Sequence, residues 1–149
     1  MDKTENSTEN SKPGQSLSPE QQTLSLQQAL DLGLQHHTAG RLPEAETIYQ
    51  QVLQTDPDQP VALHLLGVIA HQVGDNNRAV YLIKKALAIK PDFAEAHSNL
   101  AIALREVGKL EEAVANYQNA LALKPDYAEA CSNLGGVFKE IGQPDKAVI

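Results

Sequence analysis

The 149-residue chain has no tryptophan, a single cysteine, and only 4% aromatic residues. With Cys131 as its one thiol it forms no internal disulfide and offers no Cys-x-x-Cys metal or redox site, which points to a reducing compartment. So few aromatic rings do not build a large aromatic core or a strand-rich fold; they suit helices that interlock through small side chains. Basic excess is also missing. The net charge of -7 and pI near 5.1 exclude a nucleic-acid backbone as the main ligand, since phosphate binding requires clustered Lys and Arg. No window approaches the roughly 18 apolar residues of a membrane span. The opening "MDKTENSTENSKPGQSLSPEQQ" is polar where a signal peptide needs an apolar run. The chain is expected to be soluble and cytoplasmic, without a membrane partner. Also absent are a Gly-rich phosphate loop, a serine nucleophile elbow and a His-Glu-x-x-His pair, so no catalytic residue and no resident cofactor are assigned.

What is present is a period. Residues 1–17 are rich in Ser, Thr, Asn, Glu and Lys, bury almost nothing, and are expected to form a disordered tail. Order is expected over 18–149, starting at "SPEQQ", where Ser18 can cap a helix, Pro19 suits its first turn and Gln21 can reach back to the cap. From there Gly40, Gly74, Gly108 and Gly142 recur at intervals of 34, as do Pro57, Pro91 and Pro125, and Ala45, Ala79, Ala113 and Ala147. Residues 124–149 match 90–115 at 13 of 26 positions, which marks an internal repeat with units at about 26–59, 60–93, 94–127 and an incomplete 128–149.

Each unit reads as two helices. In the third, Asp92 is placed as a cap and Ala96, Leu100, Ala103, Leu104 and Val107 follow helical spacing up to Gly108. A second helix, "LEEAVANYQNALAL", presents Ala113, Val114, Tyr117, Ala120 and Leu121 on one face before Pro125. Small residues at Gly33, Gly67, Ala101 and Gly135 on the first helices face Ala45, Ala79, Ala113 and Ala147 on the second, so the backbones can approach closely.

The series Leu100, Ala101, Ala113, Tyr117, Ala120, Pro125, and likewise Leu32, Gly33, Ala45, Tyr49, Val52, Pro57, resembles the signature of tetratricopeptide repeats (TPR). The second unit shows Leu66, Gly67, Ala79, Ile83, Ala86 and Pro91, with Ile83 in place of the usual aromatic. The resemblance covers about 26–149. It implies an all-α solenoid of stacked antiparallel helix pairs in a right-handed superhelix, with the first (A) helices lining the concave face. A unit that cannot bury its apolar face alone stacks on its neighbours and shares one core. The chain stops two turns into the second helix of its last unit, with Ala147, Val148 and Ile149 apolar, which we read as a fragment of a longer chain or as an edge that a partner or a second copy covers.

The histidines do not suggest a metal site. His64 and His71 lie seven apart on one helix, about 10 Å along its axis, and His36 and His37 face different ways. His97 reads as a packed or edge residue, and Cys131, at the same place one unit later, as a small, partly buried thiol. Of the pair Gly135 and Gly136, the first fits the packing pattern and the second weakens its helix; Asp58, Asp92 and Asp126 read as caps.

Stepping by 34 along the A helices gives a column of His37, His71, Arg105 and Lys139, beside Thr38, Gln72, Glu106 and Glu140. Two readings stay open: a stripe that attracts acidic side chains of an extended peptide, or solvated residues paired with adjacent glutamates. A second column is Asp31, Leu65, Asn99 and Asn133; an Asn amide both donates and accepts, and can hold peptide backbone. "AHSNLA" and "ACSNLG" are similar to the asparagine ladder in the N-terminal TPR arrays of protein O-GlcNAc transferases and bacterial SPINDLY-like proteins, although Asp31 and Leu65 depart from it. The chaperone-binding clamp of Lys and Asn fits poorly, because Leu30, Leu34 and His64 stand where its cations belong.

These residues lead to an interaction module for protein or peptide partners, serving as the recruiting part of a larger protein. Two alternatives are carried: a piece of an O-GlcNAc-transferase-like enzyme whose UDP-sugar chemistry lies beyond residue 149, and a free-standing adaptor or scaffold that self-associates through its last repeat.

Overall fold

A computed structural model describes the backbone of residues 19–142 and the side chains from residue 25 onward. The expected tail, the Ser18 cap with Gln21, Ala147 and the apolar end lie outside these residues. All regular structure among the described residues is helical: α1 (Pro19–Thr38), α2 (Leu42–Thr55), α3 (Pro60–Gln72), α4 (Asn76–Ile89), α5 (Ala94–Glu106), α6 (Leu110–Leu123) and α7 (Ala128–Ile141). Helices α1 and α2, α3 and α4, and α5 and α6 form the tightest pairs, and α2, α4 and α6 each pack on the next unit's first helix. This is an all-α solenoid.

Two punctuation marks produce the pairing. Gly40, Gly74, Gly108 and Gly142 have φ of 79°, 89°, 85° and 81°, the left-handed region where a side chain is disfavoured. At the first three of these the chain closes in the same way. Gly40 N–H donates to His37 O and Arg41 N–H to His36 O, as Gly74 and Asp75 do to His71 and Ala70, and Gly108 and Lys109 to Arg105 and Leu104. These bonds satisfy carbonyls that the helix end leaves open and turn the chain back for its second helix.

The second mark is Pro-Asp, and here the structure corrects the sequence reading. Asp92 and Asp126 do not cap: the N-cap residues of α5 and α7 are Phe93 and Tyr127, without side-chain caps. Tyr127 N–H donates to Lys124 O, so Pro125 and Asp126 are the central residues of a β-turn that delays the helix by two residues. Asp58 likewise does not cap α3; Gln59 does, accepting from Ala62 N–H at 2.9 Å.

Close approach of the paired helices is visible at two glycines. A Cβ on Gly33 would stand 2.5 Å from Tyr49 Cε1, and one on Gly67 would stand 2.5 Å from Ile83 Cγ1 and 3.3 Å from the Ala79 carbonyl. Ala45, Ala79, Ala101 and Ala113 are fully buried, and Gly135 is buried. Stacking shows in one column: Leu66, Leu100 and Leu134 are 4%, 3% and 3% exposed under the preceding unit, whereas Leu32 is 47% exposed. The buried residues run on as clusters that cross unit boundaries, with Ile83 of the second unit joined to Leu100, Tyr117 and Val137.

Overpacking these contacts should lower stability. Gly67→Ala and Ala113→Leu are each expected to cost about 1–3 kcal/mol, read as a lower urea midpoint, whereas Val73→Thr at an exposed site should change it by under about 0.5 kcal/mol. Unchanged midpoints for both buried variants would contradict the packing described here.

Candidate functional site

Packing leaves one stripe of every A helix outside the fully buried core. On α5 the buried residues are Ala94, Ala96, Ser98, Leu100, Ala101, Ala103 and Leu104, so Glu95, Asn99, Ile102 and Glu106 remain along one open line. Their steps of four, three and four are those of a single helix face. The matching lines are Gln27, Asp31, Leu34, Thr38 on α1, Val61, Leu65, Val68, Gln72 on α3, and Glu129, Asn133, Gly136, Glu140 on α7. Side by side they form a continuous surface with Leu34, Val68, Ile102 and Gly136 at its middle.

Side chains bridge adjacent A helices at an offset of 35. His37 Nε2 lies 2.7 Å from Gln72 Oε1, Asn99 Nδ2 lies 2.8 Å from His64 Nε2, and Arg105 donates to Glu140 Oε1 from Nε at 2.7 Å and also from Nη2. His71 turns instead to Asn76 Oδ1 of its own unit, at 2.6 Å. Lys139 is exposed and has no partner among the described residues. Three members of the predicted basic column are therefore already engaged, and Arg105 is neutralised by the glutamate of the next repeat. All four sit in the last turn of an A helix, where positive charge also complements the helix dipole.

Asn99 and Asn133 stand in matching places but in different surroundings. The Asn99 amide is bonded to His64, which is 5% exposed and meets Phe93 edge to face, with ring centroids 4.7 Å apart. Burial pushes the His64 imidazole down to about 4; Glu95 opposes this weakly and His37 adds to it. A neutral ring accepts at Nε2 from the asparagine donor. Asn133 lies toward the Tyr117 hydroxyl, which is fully buried and makes no hydrogen bond. Burial pushes the Tyr117 phenol up to about 12.

Three of these residues were invisible to the sequence argument in their actual roles. Gly136 does more than weaken α7: a Cβ there would stand 3.1 Å from Arg105 Nη2, so the bare backbone is the seat on which the guanidinium lies to reach Glu140. The signal was present, because stepping back by 34 from Gly136 gives Ile102, Val68 and Leu34. His64 belongs to a column with Leu30 and Ser98, both buried, which marks it as an interior position. Tyr117 is fully buried, and its hydroxyl is enclosed without a hydrogen-bond partner. His97 is a clip between helices, its ring nitrogens 3.1 Å from Asn116 Oδ1 and 2.9 Å from Pro91 O. Among the described residues no group of three or more His, Cys, Asp or Glu could hold a metal ion, and no helix is long and apolar enough to cross a membrane.

Protonating His64 costs the fold. Its imidazole is depressed in the folded state, so its contribution is present above the unfolded value of about 6.5 and is lost as pH falls through about 4. Stability should fall by about 3 kcal/mol across that window, and the urea midpoint of His64→Gln should lose most of this dependence. Parallel curves for the two proteins between pH 6.5 and 4 would contradict the assignment.

Family models described as TPR repeat or tetratricopeptide repeat match residues 26–51, 70–115 and 103–142. The crystal structure of MamA is 32% identical, with a TM-score of 0.71, over 77% of this chain and 67% of that one. A Thermobaculum terrenum O-GlcNAc transferase mutant is 30% identical with a TM-score of 0.77, over 83% of this chain but 23% of that one. The first TPR of Spaghetti (RPAP3), solved with an HSP90 peptide, shares the fold at 23% identity, with a TM-score of 0.75, over 78% of this chain and 93% of that one. No curated protein matches. On the repeat models and the identity to MamA, the chain belongs to the tetratricopeptide repeat family.

Proposed function

We propose that this array is a protein-interaction module that holds an extended polypeptide segment along the open face of its A helices. The observation that carries this reading is the stripe through α1, α3, α5 and α7, with Leu34, Val68 and Ile102 along its middle, which stays outside the fully buried core on every A helix. Surfaces of this kind, with apolar contacts flanked by a few oriented polar groups, suit recognition of a chain more than of a small polar molecule. Asn133 presents both a donor and an acceptor to a peptide unit, with the buried Tyr117 hydroxyl behind it. Asn99 contributes through its hydrogen bond to His64, which fixes its amide. In this reading His37 and His71 shape the rim, and Lys139 is the most available cation on it.

A second reading is the recruiting arm of a UDP-sugar-dependent protein glycosyltransferase. It is favoured by the 30% identity to the O-GlcNAc transferase structure and by Asn99 and Asn133, and places the chemistry outside this array. Cytoplasmic operation accompanies both readings.

Charging the middle of the stripe should abolish binding without unfolding the protein. For peptides selected from a display library, Val68→Glu with Ile102→Glu is expected to weaken affinity at least tenfold. Tyr81→Glu, on the exposed side of α4, should leave it unchanged. The proposal fails if the two proteins lose affinity equally or neither does.

A further inference from the structure

The open face is not uniform along its length. Over α1 and α3 it offers Leu34, Val61, Leu65 and Val68, with Asp31 as its one charge; over α5 and α7 it carries Glu95, Glu106, Glu129 and Glu140. Against these four carboxylates stand Arg105 and Lys139, and Arg105 is consumed by Glu140. Lys90 and Lys124 cover the Phe93 and Tyr127 rings at 4.9 and 4.7 Å, but each shares its turn with Asp92 or Asp126 and adds no net charge. That half of the groove is therefore net acidic, and with Arg105 held by Glu140 only Lys139 stands against Glu95, Glu106 and Glu129. A second feature lies there: the Tyr117 hydroxyl, fully buried and without a hydrogen-bond partner, with Arg105 and Asn133 among the groups that act on it. Glu95 and Glu129 are both exposed and hold the same place in the first turns of the neighbouring helices α5 and α7.

We infer that the groove takes a segment with an apolar half lying over α1 and α3 and a Lys- or Arg-bearing half lying over α5 and α7. One cationic side chain sits between Glu95 and Glu129, and the adjoining peptide unit bonds to Asn133, whose amide is backed by the buried Tyr117 hydroxyl. This rests on the groove reading above and reverses the charge expected from the column of His37, His71, Arg105 and Lys139. Length follows from geometry. Four A helices at roughly 8–10 Å spacing span about 30 Å, which an extended chain rising ~3.3 Å per residue covers in about nine residues.

The test uses three fluorescein-labelled ten-residue peptides sharing one Val/Leu/Pro half, with Lys, Glu or Ser in the other, measured by anisotropy at 50 and 300 mM NaCl. The Lys peptide should bind at least tenfold tighter than the Glu peptide at low salt and lose most of that margin at high salt. Glu95→Gln with Glu129→Gln should weaken the Lys peptide about tenfold, and Tyr117→Phe should weaken all three peptides severalfold. Glu44→Gln with Glu111→Gln removes the same charge from α2 and α6 and should leave binding unchanged. An equal loss from that control pair would reduce the effect to net charge and overturn the inference. Tighter binding of the Glu peptide, abolished by Arg105→Ala with Lys139→Ala, would overturn the sign while leaving the groove reading intact. Binding of none of the three, or binding indifferent to Ile102→Glu, would remove the groove reading itself.

Discussion

The distance at which each A helix meets its partner decides most of the structure. At Gly67 the opposing Ile83 side chain comes so near that one added methyl group would not fit, and Tyr49 does the same over Gly33. Dispersion is gained only at contact, and this separation lets Ala45, Ala79 and Ala113 bury completely against the facing helix. Helices held this close leave no room for large residues between them, which accounts for a core built from Ala, Leu and a few rings. The same approach leaves each pair with a second apolar face, and that face is buried only when another pair stacks on it. Leu32 against Leu66, Leu100 and Leu134 shows the difference directly.

The proposed interaction surface is a by-product of this packing. An A helix meets its own partner, the preceding unit and the following A helix, and what remains is one line of residues per helix. Parallel A helices also bring their C-terminal ends together, so the cations of their last turns stabilise the array before any ligand is considered. Arg105 illustrates how a shared position acquires a local role. Gly136 lets it descend onto α7 and Glu140 captures it, so its charge is already matched within the array.

Where the fold is concerned, the period of 34 was legible because its marks are backbone requirements. Gly74 and Gly108 occupy left-handed turns and Pro125 opens a β-turn, and such demands appear as residue types at fixed places. "LEEAVANYQNALAL" is α6 to the residue. Cap identity was not legible, since Pro-Asp suits a turn and a cap alike and only the hydrogen bond to Lys124 decides between them. Site chemistry was less accessible still. A column taken at steps of 34 shows which residues share a face but not which bonds they make, and the bridges here run at 35, from His37 to Gln72 and from Arg105 to Glu140. Of the two readings of the basic column, pairing with a glutamate is what Arg105 shows, and Asn99 is bonded to a buried histidine.

The proposed ligand surface is the A-helix stripe and no other face of the solenoid. Amide hydrogen exchange, followed with and without the Lys-bearing probe peptide, tests it most directly. Slowing confined to α1, α3, α5 and α7, strongest near Asn133, is the predicted result. Slowing centred on α4 and α6, the helices of the opposite side, would contradict it.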